Sequence, residues 1–293
     1  MTGRPLVGII GAGALGTALG PALAIAGYTV VAVASRRDAS AEALARCIPG
    51  CRATTAQGVA EAAELVFLTT PDDAVEPTVA SLRWRPGQAA VHCSGSLTMS
   101  PLATAAAQGA RVGSLHPLQA FAEAGRAELA TGIAWALGAA PPLDATLRQV
   151  VHDLKGWIIM VAPEQRVLYH AGAILACNYL VTLVKLATDL WEPLGMGPEQ
   201  AVRALLPLLR VTLQNIEQTG YPNCLTGPLS RGDSGTVQRH LEAIGQTAPQ
   251  AAASYRALGL ATLPIARAKG RLGAEQEEKL RVLLAGVSGD AAR

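Results

Sequence analysis

The segment Gly11-Ala12-Gly13-Ala14-Leu15-Gly16 constrains this chain more than any other. It follows a short apolar run, Leu6 to Ile10, and leads into a helical stretch from Thr17 to Ala26. Gly27 stops that helix, and Tyr28 to Ala34 reads as a second buried strand. Strand, glycine turn, helix and strand within about thirty residues make a βαβ unit. Short, wholly apolar strands of this kind belong in a parallel sheet covered on both faces.

The alternation continues to about residue 161. Helical patterns at 41–47, 59–63, 74–82, 101–108 and 141–154 separate strand patterns at 65–68, 89–92, 111–115, 132–137 and 157–161. After Pro163 the period is helical to the end. Residues 164–191 read as one long helix, followed by helices at 198–218, 236–244, 249–269 and 275–285, with a Gly/Pro-rich loop over 219–235. The expected architecture is a doubly wound α/β domain over 1–162 and an all-α domain over 163–293.

Bulk numbers exclude several classes. Only 16% of residues are charged and the net charge is +2, which argues against a nucleic-acid binder. The five cysteines are odd in number and form no CxxC pair, so reduced thiols are expected and no metal site. The apolar stretch 171–190 contains Asn178, Lys185 and Asp189 and reads as a buried helix of a soluble protein. Met1 to Ile10 lack the pattern of a secretory leader, and a cytoplasmic protein without membrane contact is expected.

The glycine turn points to a phosphate-bearing cofactor. Gly11 permits the tight turn, Gly13 lets the backbone approach a pyrophosphate, and Gly16 lets helix and strand pack closely. The helix starting at this turn offers unpaired N–H groups, so Gly11, Ala12, Gly13, Ala14, Leu15 and Gly16 are the candidate phosphate loop. The second strand ends in Ser35-Arg36-Arg37 instead of an acidic residue. These groups suit a 2′-phosphate and favour NADP(H) over NAD(H), with Asp38 at the ribose as the competing placement. Thr70 and Pro71, at the carboxyl end of a later strand, are further cofactor contacts, while Asp72 is a ligand or a helix cap.

Hydride transfer needs a proton donor and groups that orient the substrate. His116 ends a strand at the cofactor edge. His170 shares a helical stripe with Asn178, about 12 Å along the axis. These three are the candidate catalytic residues, with Ser94 and Arg231 as candidate substrate contacts and Asp233 as an orienting group or a cap. His92 reads as packed within a strand, His152 and His240 as surface groups, and Lys185 as a packing or subunit contact.

Five motifs carry a family resemblance: the Gly11–Gly16 turn, His92-Cys93-Ser94-Gly95-Ser96, Gly113 to Phe121, His170 to Asn178, and Leu225 to Asp233. The chain resembles Rossmann-like proteins with the helical domain DUF2520, and is similar to pyrroline-5-carboxylate reductase, ketopantoate reductase and deazaflavin-using NADP reductases. The resemblance implies a helical domain that forms a homodimer and, for some members, ketopantoate reduction. The related β-hydroxyacid dehydrogenases carry a lysine four residues before the helix asparagine, where this chain has Ile174. The resulting expectation is an NADP(H)-dependent reductase of a small 2-oxo acid. Hydride exchange with another carrier or an imine, and a cofactor-binding sensor without turnover, are the alternatives.

Overall fold

The computed structural model describes residues 3–122 and 124–286. The chain divides into two compact units, Met1–Cys177 and Asn178–Arg293. In the first unit the described residues form one eight-stranded sheet: β1 Val7–Ile10, β2 Val30–Ala34, β3 Arg52–Ala53, β4 Leu65–Leu68, β5 Ala89–His92, β6 Arg111–Pro117, β7 Ala134–Ala139 and β8 Trp157–Met160. The spatial order is β3-β2-β1-β4-β5-β6-β7-β8. Strands β1 to β6 are mutually parallel, β7 is antiparallel to β6, and β8 is parallel to β7.

The helices of this unit are α1 Ala14–Ile25, α2 Asp38–Arg46, α3 Ala56–Ala62, α4 Asp72–Ala80, α5 Ala103–Ala107, α6 Leu143–Asp153 and α7 Arg166–Ala176. Alternate strand residues feed two cores, one on each face of the sheet. Val7 and Ile9 of β1 pack with Leu19 and Leu23 of α1, Leu44 of α2 and Leu147 of α6. Ile10 packs on the opposite face with Val59 of α3 and Val75 and Val79 of α4. Each such side chain, fully buried, contributes roughly 1.5–3 kcal/mol.

The first six strands have the 3-2-1-4-5-6 order of a dinucleotide-binding sheet, whose switch point lies between β1 and β4. Two differences from the sequence expectation bear on function. Strand β6 runs on to Pro117 because β7 keeps pairing with it, His116 opposite Ala136 and Pro117 opposite Trp135. The edge strand β3 has two exposed residues, so no apolar pattern announces it.

The second unit is helical: α8 Asn178–Asp189, α9 Pro198–Thr219, α10 Pro228–Arg231, α11 Ser234–Thr247, α12 Pro249–Ala268 and α13 Ala274–Ala285. Its core centres on Val237, Leu263, Leu280 and Leu284. The loop expected over 219–235 contains the short α10. Asp233 caps α11, accepting from the Thr236 N–H at 3.0 Å and from its hydroxyl at 2.7 Å.

Two expectations are corrected. The single helix over 164–191 is two helices, because Cys177 takes φ −110° and ψ −67° and closes α7. The stretch 171–190 is largely exposed in the single chain, with Leu175, Tyr179 and Val181 more than half exposed, so it is not a buried core helix. Within Pro163–Leu194 an 18-residue window reaches a mean hydropathy of 1.7, by length and composition apolar enough to cross a membrane. The change from strand to helix follows Met160, whereas the compact units divide at 177, because α7 is tied to the first unit by Arg166 and Tyr169.

Candidate active site

A cleft of about 630 Å³ opens at the β1/β4 switch point. Gly11, Ala12, Gly13, Ser35, Arg36, Arg37, Thr70 and Pro71 all line it. Gly11 has φ +119°, a conformation open to glycine, and a Cβ there would lie 2.7 Å from the Thr69 carbonyl carbon. The Thr69 hydroxyl donates to the Gly11 carbonyl at 2.7 Å and so clamps the turn to the end of β4. Gly16 is buried against the turn, and a Cβ would come within 1.9 Å of the Gly11 oxygen. Gly13 differs: a Cβ there would meet no protein atom within 4 Å. The protein's own packing therefore leaves a clear approach over Gly13.

Ala14 and Leu15 form the first turn of α1, which has no side-chain cap, so its leading N–H groups are free for an anion. Arg36 and Arg37 are exposed at the end of β2, and Asp38, the next residue and the first of α2, is not among the residues lining the cleft. The Thr70 hydroxyl is buried with no hydrogen-bond partner among the described residues. An orphaned donor beside a clear backbone approach and two arginines fits a phosphorylated dinucleotide.

Beyond the cleft, at the ends of β5 and β6, lies a histidine cluster within the same unit. His116 Nδ1 is 2.9 Å from the Tyr169 hydroxyl. The His116 and His170 rings meet edge to face at 6.2 Å between centroids. Gly95 lies against both: a Cβ there would come 2.9 Å from His116 Nε2 and 2.8 Å from His170 Cδ2. Burial and the neighbouring His170 and Arg166 push the His116 imidazole down to about 4. His92, fully buried, is likewise pushed down to about 4 by burial and Arg166. Its Nε2 pairs with the Thr98 carbonyl at 3.0 Å, as befits the packed role expected of it.

Ser94 is engaged on every side. Its hydroxyl donates to Asp72 at 2.7 Å and accepts from the N–H groups of Ser96 and Leu97 at 3.2 and 3.1 Å. A hydroxyl has one donor and two acceptor positions, so Ser94 shapes the loop and has nothing left for substrate. Asp72 thus turns out to anchor Ser94 and Ser96, and Pro71, without a side-chain cap, stands at the helix cap position.

Sequence reasoning missed Arg166 and Tyr169. Arg166 is 1% exposed, donates to the Ser114 hydroxyl at 2.9 Å and to the Ser94 carbonyl at 2.7 Å, and leaves its Nε–H unpaired. A cation in a helix's first turn opposes the helix dipole, and that mismatch was its one local signal. Asn178, exposed, opens α8 in the second unit, and Arg231, also exposed, ends α10 there. Lys185 pairs with Asp189 at 2.5 Å along α8. No cluster of three or more His, Cys, Asp or Glu suited to a metal ion occurs among the described residues.

Residues 2–117 match the family model of the Rossmann-like domain, and residues 133–262 match that of a domain of unknown function, DUF2520. No curated protein matches the sequence. Among solved structures, a Bacteroides fragilis protein assigned as an NADP oxidoreductase is 25% identical, with 89% of this chain and 98% of that one covered and a TM-score of 0.72. A reductive aminase from Aspergillus terreus, solved with NADPH and ethyl levulinate, is 21% identical, with coverage of 97% and 93% and a TM-score of 0.60. A 1-pyrroline-5-carboxylate reductase from Streptococcus pyogenes is 16% identical, with coverage of 95% and 98% and a TM-score of 0.60. At those last two identities the likeness is one of fold. The Rossmann-like match thus spans the glycine turn and His116, and the DUF2520 match spans the motif at Leu225.

Proposed function

We propose that this protein is an NADP(H)-dependent oxidoreductase that reduces a small carbonyl compound, a 2-oxo acid such as ketopantoate being the leading substrate. The observation that carries this reading is the cleft itself: a glycine turn, the Ser35-Arg36-Arg37 terminus of β2 and an orphaned Thr70 hydroxyl converge on it. The N–H groups of the first turn of α1 bind the pyrophosphate, and Arg36 and Arg37 bind the 2′-phosphate. When bound, the nicotinamide supplies a hydride to the carbonyl carbon. We assign the Tyr169 hydroxyl as the donor to His116 Nδ1, 2.9 Å away, so that His116 carries its proton on Nε2 and donates a hydrogen bond to the substrate oxygen as a neutral imidazole. His170, whose ring nitrogens have no hydrogen-bond partner among the described residues, delivers the proton that turns the alkoxide into the alcohol.

Asn178 and Arg231 complete the proposal as groups for the carbonyl and the carboxylate, and residues 163–293 as the substrate and dimerisation domain. The exposed apolar residues Leu208, Val211 and Leu213 of α9 and Tyr179, Val181 and Leu183 of α8 support a homodimer built on these helices. The test is titration with NADPH and NADH, then turnover with 2-oxo acids, simple ketones and cyclic imines. Tight NADPH binding with 2-oxo acid turnover supports the reading, and imine turnover alone replaces the substrate class. Binding without any turnover favours a sensor, and failure to bind either nucleotide removes the proposal. His116→Ala and His170→Ala lower turnover by roughly 100-fold or more with NADPH affinity unchanged.

A further inference from the structure

A buried cation ordinarily has a carboxylate beside it, because an unpaired charge in the interior is costly. Arg166 breaks this rule. Its guanidinium is 1% exposed, its two partners are the neutral Ser114 hydroxyl and Ser94 carbonyl, and no carboxylate lies within ion-pair distance among the described residues. Asp72 meets Ser94 at its hydroxyl, whereas Arg166 meets Ser94 at its backbone carbonyl. Burial holds the guanidinium below its ordinary range.

The partners of Arg166 are not arbitrary. Ser114 lies two residues before His116 on β6, so both side chains project from the same face of the sheet. Ser114 also sits opposite His92 in the β5–β6 register. Ser94 precedes Gly95, the residue lying against His116 and His170. Arg166 itself opens α7, which carries Tyr169 and His170 one turn later. One side chain thereby joins the three segments that supply His116, Gly95 and the Tyr169–His170 pair. Gly138, opposite Ser114, leaves room for this junction, since a Cβ there would come 2.8 Å from the Ser114 hydroxyl.

We infer that Arg166 is the positioning residue of the histidine cluster, tying the Ser94 loop, β6 and α7 together and setting one unneutralised positive charge beside the imidazoles. This rests on the reading of His116 as a neutral hydrogen-bond donor. The charged and titratable groups around His116 are His92 on β5, Asp72 on α4, and Arg166, Tyr169 and His170 on α7. Asp72 alone favours its protonation, while burial first, then His170, Arg166 and His92 oppose it. The cation therefore adds to burial and His170 in holding His116 uncharged, so that an Nε2–H can donate without an imidazolium forming next to the guanidinium. The reward is a donor whose state does not change across the neutral range.

The test is a titration of the histidine ring signals by NMR in the full chain without nucleotide, with Arg166→Lys, Arg166→Gln and Arg166→Met as variants. Signals are assigned with His92→Gln, His116→Gln and His170→Gln. In the wild type His116 stays neutral down to about pH 4. In Arg166→Gln and Arg166→Met its midpoint moves up toward the ordinary imidazole value, and in Arg166→Lys it returns toward the wild type. A purely structural arginine would give no such split between Lys and Gln. An unchanged His116 midpoint in a folded charge-free variant overturns the inference. So does a wild-type His116 that protonates near 6.5, and this measurement decides alone should neither charge-free variant fold. NADPH titration of the same samples keeps the two readings apart: loss of nucleotide binding by the wild type sinks the reductase, while the ring titration still judges Arg166.

Discussion

The three glycines of the turn can be separated by experiment, because the structure assigns them different tasks. In Gly16→Ala the new Cβ would lie 1.9 Å from the Gly11 carbonyl oxygen, a backbone atom, so that oxygen must retreat by about 1 Å. The same oxygen accepts the 2.7 Å bond from Thr69, which the retreat breaks. Overpacking costs about 1–3 kcal/mol and a lost buried hydrogen bond a further 1–3 kcal/mol, so Gly16→Ala destabilises the unit by about 2–6 kcal/mol. In Gly13→Ala the Cβ meets nothing within 4 Å, and φ −85° with ψ −167° suits alanine. Its stability changes by less than about 1 kcal/mol, a weaker helix cap being offset by a less flexible unfolded chain. A methyl at that position nevertheless stands where the pyrophosphate must approach, so NADPH affinity falls at least tenfold, about 1.4 kcal/mol. Urea unfolding and fluorescence titration with NADPH on both variants read the two quantities separately. Gly13→Ala that binds NADPH like the wild type would refute the proposed pyrophosphate path. Gly16→Ala that unfolds at the wild-type midpoint would refute the packing argument.

Four shorter predictions follow from other parts of the molecule. The double change Arg36→Ala with Arg37→Ala weakens NADPH by at least about tenfold and leaves NADH unchanged, as read by paired titrations. His92 is held neutral down to about pH 4 when folded but protonates near 6.5 when unfolded. The unfolded chain thus binds the extra proton between those values: the His92 contribution to stability is complete above about pH 6.5 and is lost as pH drops toward 4, roughly 3 kcal/mol at the bottom, and His116 adds a loss in the same window; urea midpoints at pH 7 and 4.5 check it, His92→Gln making the slope shallower without abolishing it. Gly95→Ala, whose Cβ displaces both the His116 and His170 rings, lowers turnover by roughly 100-fold while NADPH affinity holds. Leu208→Glu with Val211→Glu on the exposed face of α9 converts a dimer to a monomer in sedimentation velocity, and a wild-type chain that already sediments as a monomer contradicts the dimer.

Much of the sheet was legible because its strands are short, fully buried and bounded by turn residues. Leu65–Leu68 and Ala89–His92 could be bounded by eye for this reason, since an apolar run between polar flanks has few other solutions. The phosphate loop was equally legible, as glycines at those spacings act through local backbone geometry. Strand β3 was not, for Arg52 and Ala53 are exposed and their pairing with β2 is a tertiary event. The break at Cys177 was hidden because the apolar pattern runs through it without a proline or glycine.

The linear chain by itself determined the βαβ opening, the change from strands to helices after residue 160, and the basic end of β2, because each depends on neighbours a few positions apart. Only the tertiary structure decided what Ser94, Asp72 and Arg166 do. Ser94 and Asp72 are 22 residues apart, and Arg166 reaches Ser94 across 72. Such partners are chosen by the stacking of strands and the docking of α7 against their ends. A serine with a saturated hydroxyl and an arginine without a counter-ion look alike in sequence to any surface pair. Burial is what gives one its structural task and the other its unbalanced charge.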